Sequence, residues 1–306
     1  MVSAEILRLA SLLFVSLYPW FHPTLIPPTF VDRVVAIGRH EPTGVPNQDR
    51  FVPEASGFLY GDFLSKQGEL SAHQLYLVTN RHVIEGHIAA TARPLAVKFN
   101  VKSAAPEYDA PLQDEHGKPL WHPHPNPAID VAIMPINADF LKEQGARFDY
   151  FRSEQDLLTR AKAKEIGLSE GDGVFVLGFP MGIVDGETQE YVIVRQGVIA
   201  RVRNTLESPV FTPFLIDSFV FPGNSGSPVV LRPEIVSIQG AKAPIPQAYL
   251  LGIVRDFVPY IDAAVSTQTK HLRVTFEENS GLVEVIPAEY IQETIDDLKK
   301  TTASHP

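Results

Sequence analysis

Phe221-Pro222-Gly223-Asn224-Ser225-Gly226-Ser227-Pro228 is a serine set close between two glycines and bounded by prolines. Glycine has no Cβ, so the backbone there can take conformations that other residues block. Such a turn can aim the N–H groups around Gly223, Asn224 and Ser225 at one point, which is what a developing oxyanion needs. Apolar stretches lie on both sides, Phe214 to Val220 and Pro228 to Leu231, so strands would hold the turn rigidly. The same composition also suits a plain turn between strands, so its meaning depends on what else the chain supplies.

A serine hydroxyl is a weak nucleophile at neutral pH and needs a base; the base needs a partner that fixes its tautomer. Leu77-Val78-Thr79-Asn80-Arg81-His82-Val83-Ile84 puts His82 directly after a β-like apolar run. Pro127-Ala128-Ile129-Asp130-Val131-Ala132-Ile133 puts Asp130 directly before one. Alone, His82 reads equally as a core or capping histidine, and Asp130 as a strand-start cap. In the order His, Asp, Ser, with spacings of 48 and 95 residues, they form a catalytic constellation with Ser225 as nucleophile. An α/β-hydrolase is excluded: it requires the order Ser, Asp, His and a G-x-S-x-G elbow, where Ser227 replaces the last glycine.

Outward from these segments the chain reads as all-β. Short β-branched runs broken by Gly, Pro, Asn and Asp predict strands at Val34 to Ile37, Gly57 to Tyr60, Leu75 to Thr79, Leu95 to Phe99 and Val131 to Pro135. A second set is predicted at Val174 to Leu177, Tyr191 to Val194, Gly197 to Val202, Phe214 to Val220, Pro228 to Leu231, Tyr249 to Val254 and Leu282 to Ile286. Ser153 is placed to cap a connecting helix toward Ile166. A C-terminal helix is expected from Pro287 to about residue 300, with Ile291, Ile295 and Leu298 on one face. The β-rich domain thus spans about 30–302, with one β unit near 30–150 and another near 167–286.

These segments resemble the catalytic motifs of chymotrypsin-fold, trypsin-like serine peptidases, especially the bacterial HtrA-like and glutamyl-endopeptidase branch. Thr79-Asn80-Arg81-His82-Val83 resembles that branch's T-N-x-H-V, Ile129-Asp130-Val131-Ala132 its D-x-A strand, and Pro222 to Gly226 its P-G-N-S-G. Ala55-Ser56-Gly57-Phe58 is similar to its early G-S-G-F strand, and Gly178-Phe179-Pro180-Met181-Gly182 and Leu251-Gly252-Ile253 to segments of its second barrel. The resemblance implies two six-stranded antiparallel barrels, with His82 and Asp130 from the first and Ser225 from the second. It implies an endopeptidase acting on polypeptides through an acyl-enzyme, with a catalytically inactive peptide-binding protein as the alternative. Asn224 stands where digestive members have an aspartate that pairs with a new N-terminus, so activation by trimming is not expected. HtrA proteins usually continue into PDZ domains; the sequence ends at Pro306, and none is expected.

Aligned on the same motifs, Phe219 and Val220 fall near the floor of the specificity pocket and Val254 on its wall. All are apolar, which favours an apolar P1 residue; Arg255 beside them would instead favour an acidic one. The substrate is expected to add a strand along Gly252, Ile253, Val254 and Arg255. Asp217, eight residues before Ser225, is placed to order the pocket wall, but a structural hydrogen bond is the expected role. His122 and His124 have the look of a metal pair, but no third ligand follows at useful spacing, and neither metal nor cofactor is expected.

Composition narrows the rest. The net charge of -10 and the lack of any Lys/Arg run exclude a nucleic-acid partner. The chain has no cysteine, so disulfides and thiolate chemistry are excluded; this fits the cytoplasm, or an exported bacterial protein without disulfides. Residues 1–29 form an apolar N-terminal extension. Its run Leu9 to Phe21 follows Arg8, but Glu5, Pro19 and the lack of a small-x-small site argue against a signal peptide. It is short for a membrane span of about 20 residues. A packed helix, a leader and an anchor stay open, and any membrane association would run through residues 9–21.

Overall fold

The computed structural model describes residues 26–45, 49–68, 70–99, 107–146, 148–182, 192–233 and 247–303; the apolar run 9–21 lies outside them. The first half contributes β1 (Val34–Pro42), β2 (Asp49–Gln67), β3 (Leu70–Thr79), β4 (Leu95–Phe99), β5 (Glu107–Ala110), β6 (His122–Pro123), β7 (Ala132–Ile136) and β8 (Phe151–Arg152). The second half contributes β9 (Gly173–Gly178), β10 (Ile193–Arg201), β11 (Phe214–Asp217), β12 (Pro228–Leu231), β13 (Leu250–Val265) and β14 (Leu272–Pro287).

The strands read as unbroken apolar runs because many are buried on both faces. In β9, Val174 and Val176 point into a cluster with Ile199, Phe214, Val229, Val254 and Val283. Phe175 and Leu177 point the other way, into a cluster shared with Phe58, Tyr60, Val131 and Phe151 of the first half. This period-2 alternation gives the second half a core of its own and a core shared with the first. A third cluster, with Ile37, Leu59, Leu77, Val97 and Met134, fills the first half.

The second half is a closed six-stranded barrel in the order β10-β11-β14-β13-β12-β9, as expected. The first half differs from the six-stranded closed barrel expected of it. It is an eight-stranded sheet following the open path β5-β4-β1-β2-β3-β7-β6, with β8 parallel to β2. Its ends cannot zip together: β6 has only two residues, hemmed by Pro119, Pro123, Pro125 and Pro127, and proline supplies no N–H to a ladder.

The helices are α1 (Pro28–Val31), α2 (Arg81–Ala90), α3 (Ala138–Glu143), α4 (Arg160–Glu165), α5 (Arg203–Glu207) and α6 (Glu289–Ala303). The connecting helix is shorter than the Ser153 to Ile166 span expected. Ser153 Oγ accepts from Phe63 N, and Asp156 is taken up by Arg33 and by the N–H of Arg152. Leu158 N donates to Leu250 O and Leu250 N to Asp156 O, so pairing with the second barrel overrides local helix preference. Thr159 caps the helix instead, accepting from Lys162 N at 3.2 Å. The C-terminal helix starts at Glu289, because Pro287 still ends β14. Tyr290, Ile291 and Ile295 seat it on the interface cluster. None of the helices among the described residues is long and apolar enough to cross a membrane.

Glu170 shows how a distant side chain ends a helix. Its Oε1 accepts the N–H groups of Val202 and Arg203, both at 3.0 Å, where α5 begins. Those two bonds, Val202's first, hold its pKa down at about 2. A carboxyl depressed in the fold stabilises above its unfolded pKa of about 4.3, and that contribution is lost as pH falls toward 2. Thermal melts should therefore show Glu170→Gln less stable than wild type at pH 5, with the gap narrowing steadily down to about pH 2.5.

Candidate active site

His82 sits in the first turn of α2, a helix not foreseen in the sequence. The first N–H groups of a helix have no partner within it. Here a carboxylate from β-sheet territory serves: Asp130 Oδ1 accepts His82 N at 2.9 Å. The other oxygen, Oδ2, lies 2.5 Å from His82 Nδ1. Asn80, fully buried, donates from Nδ2 to the carbonyl of Asp130 at 2.8 Å, and Arg81 Nη2 donates to Pro127 O at 2.7 Å. Asp130 and His82 are thus held together at both backbone and side chain. With Nδ1–H spent on Asp130, the free lone pair of the imidazole is on Nε2. Burial pushes the Asp130 pKa up, but the hydrogen bonds and charge of His82, helped by the Arg255 guanidinium, outweigh it and leave the carboxyl below its ordinary value.

The Ser225 turn is pinned to the first sheet by one residue. Ser56, fully buried in β2, donates from Oγ to Gly223 O at 2.7 Å and accepts from Phe179 N at 3.0 Å. Its N–H donates to Ser225 O at 2.9 Å, and its carbonyl accepts from Thr79 Oγ1 at 2.9 Å. Thr79 is three residues from His82, so His82 and the Ser225 turn are tied through Ser56 to one short stretch of sheet. The fit leaves no room at Gly226: φ is +84°, and a Cβ there would lie 2.1 Å from Ser56 O.

The Pro222 carbonyl accepts from Met181 N at 2.6 Å. In a trans peptide the C=O and N–H point opposite ways, so the Gly223 N–H faces away from Met181. Among the described residues, neither Gly223 N nor Ser225 N donates to a protein acceptor. Asn224 differs from its expected place among the oxyanion donors. Its N–H donates to Phe221 O at 2.9 Å, its Oδ1 accepts from Phe221 N and its Nδ2 donates to Ser227 Oγ. It braces the turn from inside.

Ser225 Oγ donates to Arg255 O at 3.5 Å; no hydrogen bond joins it to His82. Val220 and Val254 are buried in the closed barrel. Phe219 is 57 % exposed, so it is not a buried pocket floor. Gly252, Ile253 and Val254 are paired with β14 on one side, and Gly252 and Ile253 with β12 on the other. Val254 N donates to Ser227 O and Val254 O accepts from Gly226 N. The strand edge left open therefore starts at Arg255, not at Gly252. Arg255 Nη1 is 3.1 Å from Glu284 Oε2. Asp217 is exposed, and no hydrogen bond orders its carboxylate among the described residues. His122 and His124 each face a carboxylate of α6, Asp297 at 2.9 Å and Glu293 at 3.5 Å, bracing the loop that leads to Asp130.

Ser56 and Thr79 are the members of this site that sequence reasoning did not single out. The signal was there in Ala55-Ser56-Gly57-Phe58, a polar residue inside an apolar strand. Residues 55–234, more than half of the chain, match the family model of the trypsin-like peptidase domain, and the chain belongs to that family. The match takes in Ser56, His82, Asp130 and Ser225. No curated protein matches the chain.

Removing the Ser56 hydroxyl strips a donor from Gly223 O and an acceptor from Phe179 N in a dry setting. Ser56→Ala should cost about 1–3 kcal/mol in urea unfolding, while Gly226→Ala, with its Cβ against backbone, should cost more.

Proposed function

We propose that this member of the trypsin-like peptidase family is a serine endopeptidase working through an acyl-enzyme on Ser225. The observation that carries this reading is the two-point grip of Asp130 on His82, set beside a serine turn with two unspent N–H groups. In this reading Ser225 Oγ attacks the scissile carbonyl while His82 Nε2 takes its proton. Asp130 keeps the ring in the right tautomer and stabilises the imidazolium. The N–H groups of Gly223 and Ser225 receive the oxyanion. His82 then returns the proton to the leaving amine, and water, activated by the same ring, cleaves the ester.

The substrate enters as an extended chain along the open edge that begins at Arg255. Its N–H displaces Ser225 Oγ from the Arg255 carbonyl and frees the hydroxyl for His82. The pairing of Arg255 with Glu284 weakens the case for an acidic P1 residue, which leaves the apolar one expected from the aligned motifs. The Thr79 to Val83 and Pro222 to Gly226 segments, with the lack of cysteine, support a place in the HtrA-like and glutamyl-endopeptidase branch.

Labelling with a fluorophosphonate probe tests the reading. Wild type should label and Ser225→Ala should not, with turnover of a peptide substrate down roughly a million-fold. Asp130→Asn should lose about 10⁴-fold in kcat. A folded wild type that takes no probe and cleaves no peptide library would instead support binding of peptides without catalysis.

A further inference from the structure

β13 and β14 outgrow the barrel they belong to. β14 is paired with β11 only from Leu282 to Val285, and β13 with β12 only up to Ile253. Beyond these points the two strands pair with each other alone, from Pro259↔Asn279 out to Val265↔Leu272. The result is a free-standing two-stranded ribbon with both outer edges unpaired among the described residues. It carries Tyr260, Ile261, Val265, Leu272, Val274 and Phe276, each between 50 and 61 % exposed. A lone hairpin is marginal in water, and apolar side chains on an open edge invite another strand.

The edge of β14 carries its own complement. Residues 273–277 read Arg-Val-Thr-Phe-Glu. Antiparallel pairing of this segment with the same segment of a second copy, about a two-fold axis through Thr275, sets Thr275 against Thr275. It sets Val274 against Phe276, and Arg273 against Glu277. A Thr–Thr pair, an aromatic–β-branched pair and an opposite-charge pair are each among the favourable cross-strand combinations, and symmetry makes the last two twice. Moving the axis one residue either way destroys this. About Phe276, Glu278 meets Val274; about Val274, Arg273 meets Thr275 and Glu277 meets His271, so the Arg–Glu pair is lost. The β13 edge of the ribbon, Tyr260 to Val265, carries one charged residue and so no pair of opposite charges, and Pro259 withholds an N–H at its root. On the ribbon, Ala264 stands beside Val274 and Asp262 beside Phe276, so the joined face is apolar along Val274 and Phe276 and bordered by one carboxylate from each copy.

We propose that the chain forms a two-fold dimer by edge-to-edge pairing of β14 with β14 of a second copy, centred on Thr275. The inference is independent of peptidase activity. The chain has no cysteine, so a single introduced one gives a clean readout. Directly opposed residues of an antiparallel pair lie about 4.5–5.5 Å apart at Cα, within reach of a disulfide. Full-length Thr275→Cys should oxidise to a covalent dimer, while Thr269→Cys in the tip turn should not. In sedimentation, wild type should dimerise. Arg273→Glu and Glu277→Arg should each weaken the dimer about ten-fold or more, and the double charge swap should restore it. A wild type that stays monomeric at 100-fold the working concentration, about 0.1 mM against 1 µM, would overturn the proposal. So would a dimer that the charge reversals leave unchanged, or equal cross-linking from both cysteines.

Discussion

The geometry of the candidate site depends on one buried serine, Ser56, that stands apart from His82, Asp130 and Ser225. Ser56 lies on β2 of the first sheet and makes its bonds to Gly223, Ser225 and Phe179 of the second half and to Thr79 of its own. A site divided between two β units is only as good as the register between them, and a misplacement near 1 Å is costly in catalysis. Packing of the interface cluster alone would leave that register soft, because hydrophobic contact is non-directional. Hydrogen bonds in a dry setting supply direction, and a buried polar group left without them is penalised. The pairing of the two halves is therefore specified at the point where the chemistry needs it.

Asp130 joins fold and site in a second way. A buried carboxylate is expensive unless its lone pairs are used. Here one oxygen closes the open N-terminal turn of α2 and the other fixes the imidazole on that same turn. The ring and the N–H of His82, with the Arg255 guanidinium, favour the ionised form, which is why the Asp130 pKa ends below normal despite burial. The orientation of His82 thus comes from the stabilisation of the helix that carries it.

What could be read in the sequence follows the same physics. Pro222 to Pro228 was legible because a tight turn with aimed N–H groups requires glycines at fixed places, and Gly223 and Gly226 indeed have φ of +101° and +84°. The second barrel was legible because its strands are apolar runs with Gly or Pro between them. The first half was less so. Closing its sheet depended on β6, where prolines leave only two paired residues. The helix α2 was hidden because its cap is not local: Asn80 stands in the cap position but turns its side chain to Asp130, and the capping oxygen comes from 48 residues away. The Ser153 helix was overread for the converse reason. Good local caps were diverted to Phe63 and Arg33 by tertiary contacts.

The ribbon of β13 and β14 was missed beyond Val254 because it violates the assumption that long strands cover a core. A closed barrel has no edges, but strands that run past its rim regain them. Chains usually protect such edges with like charges or lysine. Here the charges are of opposite sign and placed evenly about Thr275, with apolar residues between them. Like charges would repel every passing strand. Opposite charges at equal distances from one residue reject most strands and accept one that reads the same in the reverse direction. An exposed edge becomes selective by that arrangement, because a slip by one residue separates the charges and turns each side chain to the other face.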